Sequence, residues 1–324
     1  MLSFSTDDLR PQDRFDHWCE VRGKNLFGVT IELERERRAD FRGAFSAWQV
    51  GNAVASEMHA SSYRISRTTA DIAHRAGNSL CISLQVRGPG WLDVGRRPHQ
   101  YVGEGQLVIS HSDLPYHGTP QRSDGFEFRM LKIPLSGDIL LGATADDLHA
   151  ALLPHSAPSA RPLAALFRAL TRSGAHMSDP AAHIAHAAHL ALLARGRLGA
   201  GSPEGRAALR AGFLEAAREI MIRDLRRPDL SPETVAGELA ISVRQVHVLF
   251  EPTGLSFTRT LTAARIKEAA RLLQAEPQTS IADIAYSCGF DSLSAFYRAF
   301  QKAYDMTPRE QRREGGASPG RARR

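Results

Sequence analysis

The sequence predicts an α+β chain of separate modules: an N-terminal β sandwich or barrel, an Ala- and Leu-rich helical pair, and an all-helical C-terminal part with two helix-turn-helix units. Three observations predict it. Residues 29 to 135 carry short segments of period-2 apolar alternation broken by Gly- and Pro-rich turns. After Leu135 the apolar residues recur with helical period behind prolines that suit a first helical turn. A Gly-rich stretch, Gly196 to Gly205, then separates these segments from a second helical region. A length of 324 residues suits about two domains of roughly 150 residues each.

Taken in order, Asp13 to Arg22 reads as one short helix ahead of the β region. In Ser79 to Val86 the apolar Leu80, Ile82, Leu84 and Val86 alternate with smaller or polar residues, as in a half-buried strand, and Phe126, Phe128 and Met130 repeat the pattern. Arg87-Gly88-Pro89-Gly90 and Gly103-Glu104-Gly105 supply turns between short antiparallel strands. Pro162 to Leu170 and Pro180 to Arg195 read as two antiparallel helices parted at Ser173-Gly174. The boundaries expected are a β-rich module over 1–158, the helical pair over 159–196, a linker over 197–205, a helical module over 206–313 and a polar tail over 314–324.

In the helical module, Ser231-Pro232 is an N-cap followed by proline at the first helical position; Ala240-Ile241-Ser242 then turns into a second helix. Ser280 with Asp283 three residues on repeats the start, and Cys288-Gly289-Phe290 turns into a helix capped by Ser292. The two units are placed at 231–251 and 280–303, with outer helices 242–251 and 292–304. In the later outer helix Leu293, Phe296, Phe300, Ala303 and Tyr304 form one apolar stripe, leaving Ser294, Arg298 and Gln301 opposite. In the earlier one Val246, Leu249 and Phe250 face inward, leaving Arg244, His247, Val248 and Glu251 outward. Plain packing explains a single such helix; two copies across a continuous helical run from Phe257 to Ala275 point further. That run is roughly 28 Å long at 1.5 Å per residue, against the ~34 Å between successive major grooves on one face of DNA.

Charge agrees in direction. Lys and Arg number 41 against 35 Asp and Glu, net +6, and residues 206–324 hold 19 against 14, net +5. Double-stranded DNA is therefore a candidate partner of the C-terminal part, with a solvated helical surface and a basic tail as the bland alternative. The three cysteines, Cys19, Cys81 and Cys288, are far apart and odd in number, which disfavours a disulfide framework and suits a reducing cytoplasm. No window nears the ~18 uninterrupted apolar residues of a membrane span, and residues 1–30 lack the pattern of a signal peptide, so neither insertion nor export is expected.

Enzyme chemistry has thin support. No Walker-type phosphate loop and no nucleophile elbow occur, and no cofactor is expected. His111-Ser112-Asp113 is an H-x-D, with His117 or His99 as a third arm of an iron facial triad, and its plain counterpart is a loop in which Asp113 makes turn hydrogen bonds. His183, His186 and His189 follow one another at i, i+3 and i+6 and read as a metal row or, more plainly, a polar helix flank. Trp48, Tyr63, Trp91 and Tyr116 are candidate walls of an apolar ligand pocket, or ordinary core.

The string Asp283-Ile284-Ala285-Tyr286-Ser287-Cys288-Gly289-Phe290, then Ser294, Phe296, Arg298-Ala299-Phe300-Gln301-Lys302, Thr307-Pro308 and Arg312, resembles the C-terminal signature of the AraC/XylS family of bacterial transcription regulators over about residues 206–313. The resemblance implies two helix-turn-helix units, joined by a long helix, reading successive major grooves. Candidate DNA contacts are Arg244, Gln245, His247 and Val248 in the first unit and Ser292, Ser294, Arg298, Gln301 and Lys302 in the second. Two departures concern the first unit. Val248 stands where the family often has arginine, and Glu251-Pro252-Thr253-Gly254 is one residue short, with a proline that should curtail the helix.

More diffusely, residues 4 to 141 resemble the sensor domain that precedes such modules, through Arg14-Phe15-Asp16-His17-Trp18, Tyr63 to Thr68, Tyr101 to Gln106, Ser110 to Tyr116 and Ile133-Pro134-Leu135. That implies a jelly-roll-like barrel holding a small-molecule effector, often an aromatic or a sugar, with the following helices forming a homodimer. The whole then reads as a cytoplasmic ligand-responsive activator working on promoter DNA with RNA polymerase, and not an enzyme. The alternative is a barrel-type metal oxygenase or small-molecule carrier with a helical appendage.

Overall fold

The computed structural model describes residues 1–95, 98–172 and 179–316. The chain divides into two compact units, Met1–Gly212 and Phe213–Arg324.

In chain order, the first unit contains β1 (Leu2–Ser5), α1 (Pro11–Trp18), β2 (Thr30–Glu32), β3 (Gly43–Val50), β4 (Ala53–Ala60), β5 (Arg64–Arg67), α2 (Thr69–His74), β6 (Ser79–Arg87), β7 (Gly90–Asp93), β8 (Gln100–Val102), β9 (Leu107–His111), β10 (Tyr116–Pro120), β11 (Phe126–Pro134), α3 (Gly137–Leu140), β12 (Ala151–Leu152), α4 (Ala160–Leu170) and α5 (Pro180–Ala194). All strand pairs are antiparallel, in a seven-stranded sheet ordered β1-β3-β4-β11-β6-β9-β12 and a five-stranded sheet ordered β2-β5-β10-β7-β8. The expected β module is thus a two-sheet structure, with β1 and α2 as elements that the alternation pattern did not announce. The helix expected over Asp13 to Arg22 is α1 continued by π-helical turns from Cys19 to Phe27.

Strand parity decides what each face does. On the seven-stranded sheet Leu80, Ile82, Leu131 and Ile133 are fully buried and share one core with Leu163, Phe167, Ile184 and Leu190 of α4 and α5. The intervening Cys81, Ser83, Met130 and Lys132 face the other way, into a cavity whose wall is completed from the second sheet by Ile65, Leu92 and Tyr116. The alternation in β6 was legible, but its polar face meets a cavity and not bulk water. A second core has Phe15, Trp18, Phe41, Phe45, Met58 and Tyr63 among its members.

α4 and α5 therefore spend their apolar faces on their own sheet. The turn expected at Ser173-Gly174 lies outside the described residues. The linker expected over 197–205 is shorter, because α6 (Pro203–Arg223) starts inside it. The division into units falls at Gly212, not at residue 206, because Ala208 and Leu209 pack on the first unit's core. Gly212 is the close approach, since a Cβ there would stand 2.6 Å from Pro162 Cβ and 2.9 Å from Leu190 Cδ1.

The second unit continues with α7 (Pro232–Leu239), α8 (Val243–Phe250), a 3-10 turn over Glu251–Thr253, α9 (Phe257–Ala275), α10 (Ile281–Ser287), α11 (Leu293–Tyr304) and α12 (Pro308–Gly316). The helix-turn-helix grammar and the 19-residue spacer are both present. α12 runs through residues expected to begin the tail; residues 317–324 lie outside the described residues. Ala240 closes α7 in the left-handed region at φ 55°, where a Cβ costs about 1 kcal/mol. Ala240→Gly is accordingly expected to raise the stability of the full chain by about that amount in urea unfolding, and a loss would show that the turn relaxes elsewhere. Among the described residues no helix is long and apolar enough to cross a membrane.

Candidate nucleic-acid interface and ligand cavity

Both outer helices of the second unit are started by serine caps. Ser242 Oγ accepts from Gln245 N at 3.1 Å while Gln245 Oε1 accepts from Ser242 N at 2.8 Å, a reciprocal capping box that fixes the start of α8. Ser292 Oγ accepts from Ala295 N at 3.2 Å at the start of α11. Val246, Leu249 and Phe250 are buried, while Arg244, Gln245 and His247 are exposed and Val248 is half-buried. α8 stops at Phe250 just ahead of Pro252, as the missing N–H of proline requires. On α11, Phe296 and Phe300 are fully buried against Ile266, Leu273 and Ile284, and Ser292, Ser294, Arg298, Gln301 and Lys302 are exposed.

One expectation fails here. The inward stripe ends at Phe300: Ala303 is exposed and Tyr304 is 37 % exposed, lying against the Phe300 ring at 5.0 Å. The last turn of α11 outruns the core beneath it. The capping oxygens of Gln245 and Ser292 are also committed to their helices, which leaves the Gln245 amide NH2 and the Ser292 hydroxyl proton for an outside partner.

Electrostatics separates the arginines of this unit into two kinds. Arg223 is paired with Asp224 and Glu238 at 2.6 Å each, Arg271 with Glu268 at 2.8 Å and Arg227 with Asp229 at 2.9 Å; these are structural pairs. Among the described residues Arg244, Arg298 and Lys302 have no carboxylate partner, and they stand exposed on the outer helices.

The first unit contains a cavity of about 220 Å³ between its two sheets. Three of the four predicted aromatic walls line it. Tyr63 is buried, its hydroxyl donating to Met58 Sδ at 3.7 Å; Tyr116 lies on β10; and Trp91, 45 % exposed, packs edge-on to Tyr101 at the rim. Trp48 does not belong to it. Three positions on from Phe45, it falls on the opposite face of β3 and packs under the helices. Burial pushes the Tyr116 hydroxyl up to about 12 and the Cys81 thiol up to about 11, so both stay protonated.

Sequence reasoning missed the cations of this wall, Arg22, Arg67 and Lys132. Arg22 had one signal, its position four residues after the buried Trp18, which puts it on the inward side of the same helical stretch. Arg67 is the hub. Its guanidinium donates to the carbonyls of Ser112 (3.0 Å), Phe27 (3.2 Å), Gly28 and Arg75 (2.6 Å), and lies 3.5 Å from Asp113.

The H-x-D has no triad geometry. His111 Nδ1 accepts from Asp113 N at 3.0 Å and Nε2 faces Asn78 Oδ1 at 3.3 Å, and burial keeps the ring's pKa below the usual histidine range. The Asp113 carboxylate accepts from Gly77 N at 2.7 Å and Asn78 N at 2.8 Å, clamping a neighbouring loop, and from the Ser112 hydroxyl of its own turn at 3.0 Å. His99 pairs with Asp93 at 3.3 Å, and His117 is exposed. In the histidine row, His183 Nδ1 lies 2.6 Å from the Asp179 carbonyl and His189 is buried. Among the described residues no group of three His, Cys, Asp or Glu side chains is placed to hold a metal ion.

Comparison with known proteins agrees with this division. The family model described as an AraC-like ligand binding domain matches residues 59–193, and a helix-turn-helix domain matches residues 235–314. The HTH-type transcriptional activator RhaS of Enterobacter sp. (strain 638) is 37 % identical over 91 residues, 28 % of this chain and 32 % of that protein. The transcriptional activator RhrA of Rhizobium meliloti (strain 1021) is 34 % identical over 97 residues, 30 % and 31 % of the two chains. The chain thus spans about a third of the length of the curated relatives it matches. Among solved structures, the AraC-like transcriptional activator CuxR aligns over 88 % of this chain and 99 % of its own at 22 % identity, with a TM-score of 0.48. With a ligand-binding domain of AraC type matched on the β-rich unit and a helix-turn-helix domain matched on the helical one, the chain belongs to the AraC family.

Proposed function

We propose that the chain is a sequence-specific DNA-binding transcription regulator, a ligand-responsive activator that reads two successive major grooves with α8 and α11. The observation that carries this reading is the pair of capped, exposed helices bearing Arg244 and Arg298, without carboxylate partners among the described residues, at opposite ends of a 19-residue spacer. Unpaired arginines serve phosphate anchoring, which makes affinity salt-dependent, and base reading, where a bidentate contact to guanine discriminates by ~1 to 3 kcal/mol. On this assignment Arg298, Ser294, Gln301 and Lys302 face DNA from α11, and Arg244, His247 and Val248 from α8. Gln245 and Ser292 act mainly by holding the helix starts.

The same reading makes promoter DNA and RNA polymerase the partners, a cytoplasmic location the setting, and no enzymatic turnover the outcome. A homodimer would form through the surfaces of α4 and α5 that do not face the sheet. Effector binding would act through its differential affinity for DNA-competent and incompetent arrangements.

Genome-wide footprinting of the intact protein and of Arg298→Ala tests it. Sharp sites upstream of a few genes, weakened in the variant by about tenfold or more at the preferred sequence, are the expected result. Diffuse occupancy indifferent to the substitution would overturn base reading by α11.

A further inference from the structure

The cavity of the first unit carries more positive charge than its surroundings neutralise. Arg22 is 4 % exposed; its guanidinium lies 4.9 Å from the Phe27 ring centre and 5.8 Å from that of Tyr63. The ring faces attract the cation but cannot satisfy its N–H groups in full, and Arg22 Nε and Nη1 are buried without a hydrogen-bond partner among the described residues. Lys132, on the same wall, has no carboxylate partner among the described residues. Arg67 has its donors spent on carbonyls, with Asp113 its nearest carboxylate at 3.5 Å.

No aspartate or glutamate among the described residues lines the cavity. The other titratable walls supply no anion either. Burial holds the Tyr63, Tyr116 and Cys81 protons on, and it holds His111 neutral. A buried arginine with open donors is a costly arrangement for an empty protein and a favourable one for a ligand that brings the missing negative charge. The rest of the wall is largely apolar, with Phe27, Met58, Phe126, Phe128 and Met130 facing the space. A bare inorganic anion would leave that surface wet. The nine-residue π-helical stretch Cys19–Phe27 delivers Arg22 to this place, and such departures from α geometry are frequent at functional sites.

We propose that the ligand of this cavity is a small organic carboxylate on an apolar or aromatic body, its charge received by Arg22 and its body enclosed by the phenylalanine and methionine wall. The proposal rests on the reading of the first unit as an effector-binding module, and it adds the chemical class of effector. Arg22 is the specificity determinant: it rewards a carboxylate and penalises the isosteric amide.

The test uses the full chain with phenylacetate and cyclohexanecarboxylate as probes beside phenylacetamide and cyclohexanecarboxamide, each followed by calorimetry and by the tryptophan-fluorescence melting point. Concentrations up to about 10 mM suit ligands of this size. The carboxylates are expected to bind at least about tenfold more tightly than their amides, a difference of about 1.4 kcal/mol. Arg22→Met is expected to erase that preference and to raise the melting point of the unliganded protein, whereas Arg22→Lys keeps part of the preference. Should Arg22→Met fail to fold, the wild-type ratio of carboxylate to amide decides alone. Equal or better binding of the amides would overturn the carboxylate assignment and leave the effector cavity standing. Absence of binding by both classes would overturn the carboxylate assignment and the effector reading of the cavity together.

Discussion

Gly289→Ala is expected to destabilise the second unit by about 3 kcal/mol and to abolish specific DNA binding. Gly289 forms the turn between α10 and α11 at φ 82°, where a side chain costs about 1 to 2 kcal/mol in backbone strain alone. An added Cβ would also stand 2.5 Å from the Leu225 carbonyl oxygen and 3.0 Å from Arg265 Nε and Nη2. Those atoms cannot simply retreat. Arg265 reaches out of α9 and donates to Leu225 O at 2.9 Å and to Arg227 O at 2.5 Å, tying the end of α6 to the spacer helix. Displacing it breaks hydrogen bonds from a charged group to one part-buried and one exposed carbonyl, which adds about 1 to 3 kcal/mol. Gly237 is the internal control: it lies inside α7 with nothing within 4 Å of an added Cβ, so Gly237→Ala should stabilise the helix by about 0.8 to 1 kcal/mol. Urea unfolding followed by helix circular dichroism, with operator binding in parallel, separates the two. A Gly289→Ala protein within about 1 kcal/mol of the parent would show that the turn is not set by this contact.

The second unit was the more legible part of the chain because its signals are local. Serine caps, helix-starting prolines and the Cys288-Gly289 turn declare helix ends within three or four residues, and the structure places α9 at Phe257–Ala275, the run that the pattern marked. The misreadings there, Ala303 and Tyr304, came from extending a periodic stripe past the end of the core. In the first unit the governing facts are long-range. Alternation in β6 tells which residues share a face but not that the polar face meets a cavity. Trp48 and Tyr63 look alike as aromatic walls until strand parity in β3 sends Trp48 to the helix-covered core, while Tyr63, in the connection between β4 and β5, joins the other core and lines the cavity. Arg67 finds its carbonyls as far as 45 residues away in sequence, a separation that no local pattern encodes. The H-x-D motif shows the converse error, since adjacency in sequence suggested ligands while the two side chains serve different hydrogen bonds.

The hub around Arg67 yields the other large expected effect. Arg67→Met should destabilise the first unit by about 3 to 5 kcal/mol, the range for removing one partner from a buried charged network. Arg67 is 3 % exposed, and its guanidinium satisfies the carbonyls of Ser112, Phe27, Gly28 and Arg75, buried or part-buried backbone acceptors that a methionine would leave without their donor. The same substitution leaves the Asp113 carboxylate without its nearby cation, while Gly77 N and Asn78 N still hold it. Arg67→Lys should recover little, because a single ammonium cannot span four carbonyls that a planar fork reaches together. The three tryptophans, Trp18, Trp48 and Trp91, all precede residue 213, so tryptophan fluorescence follows this unit alone. For a unit of this size the expected fall in its melting point is roughly 10 °C. A fall of only a degree or two for Arg67→Met would mean that the loops bearing Phe27, Arg75 and Ser112 are held by other contacts, and that the arginine's charge matters more to what enters the cavity than to the fold around it.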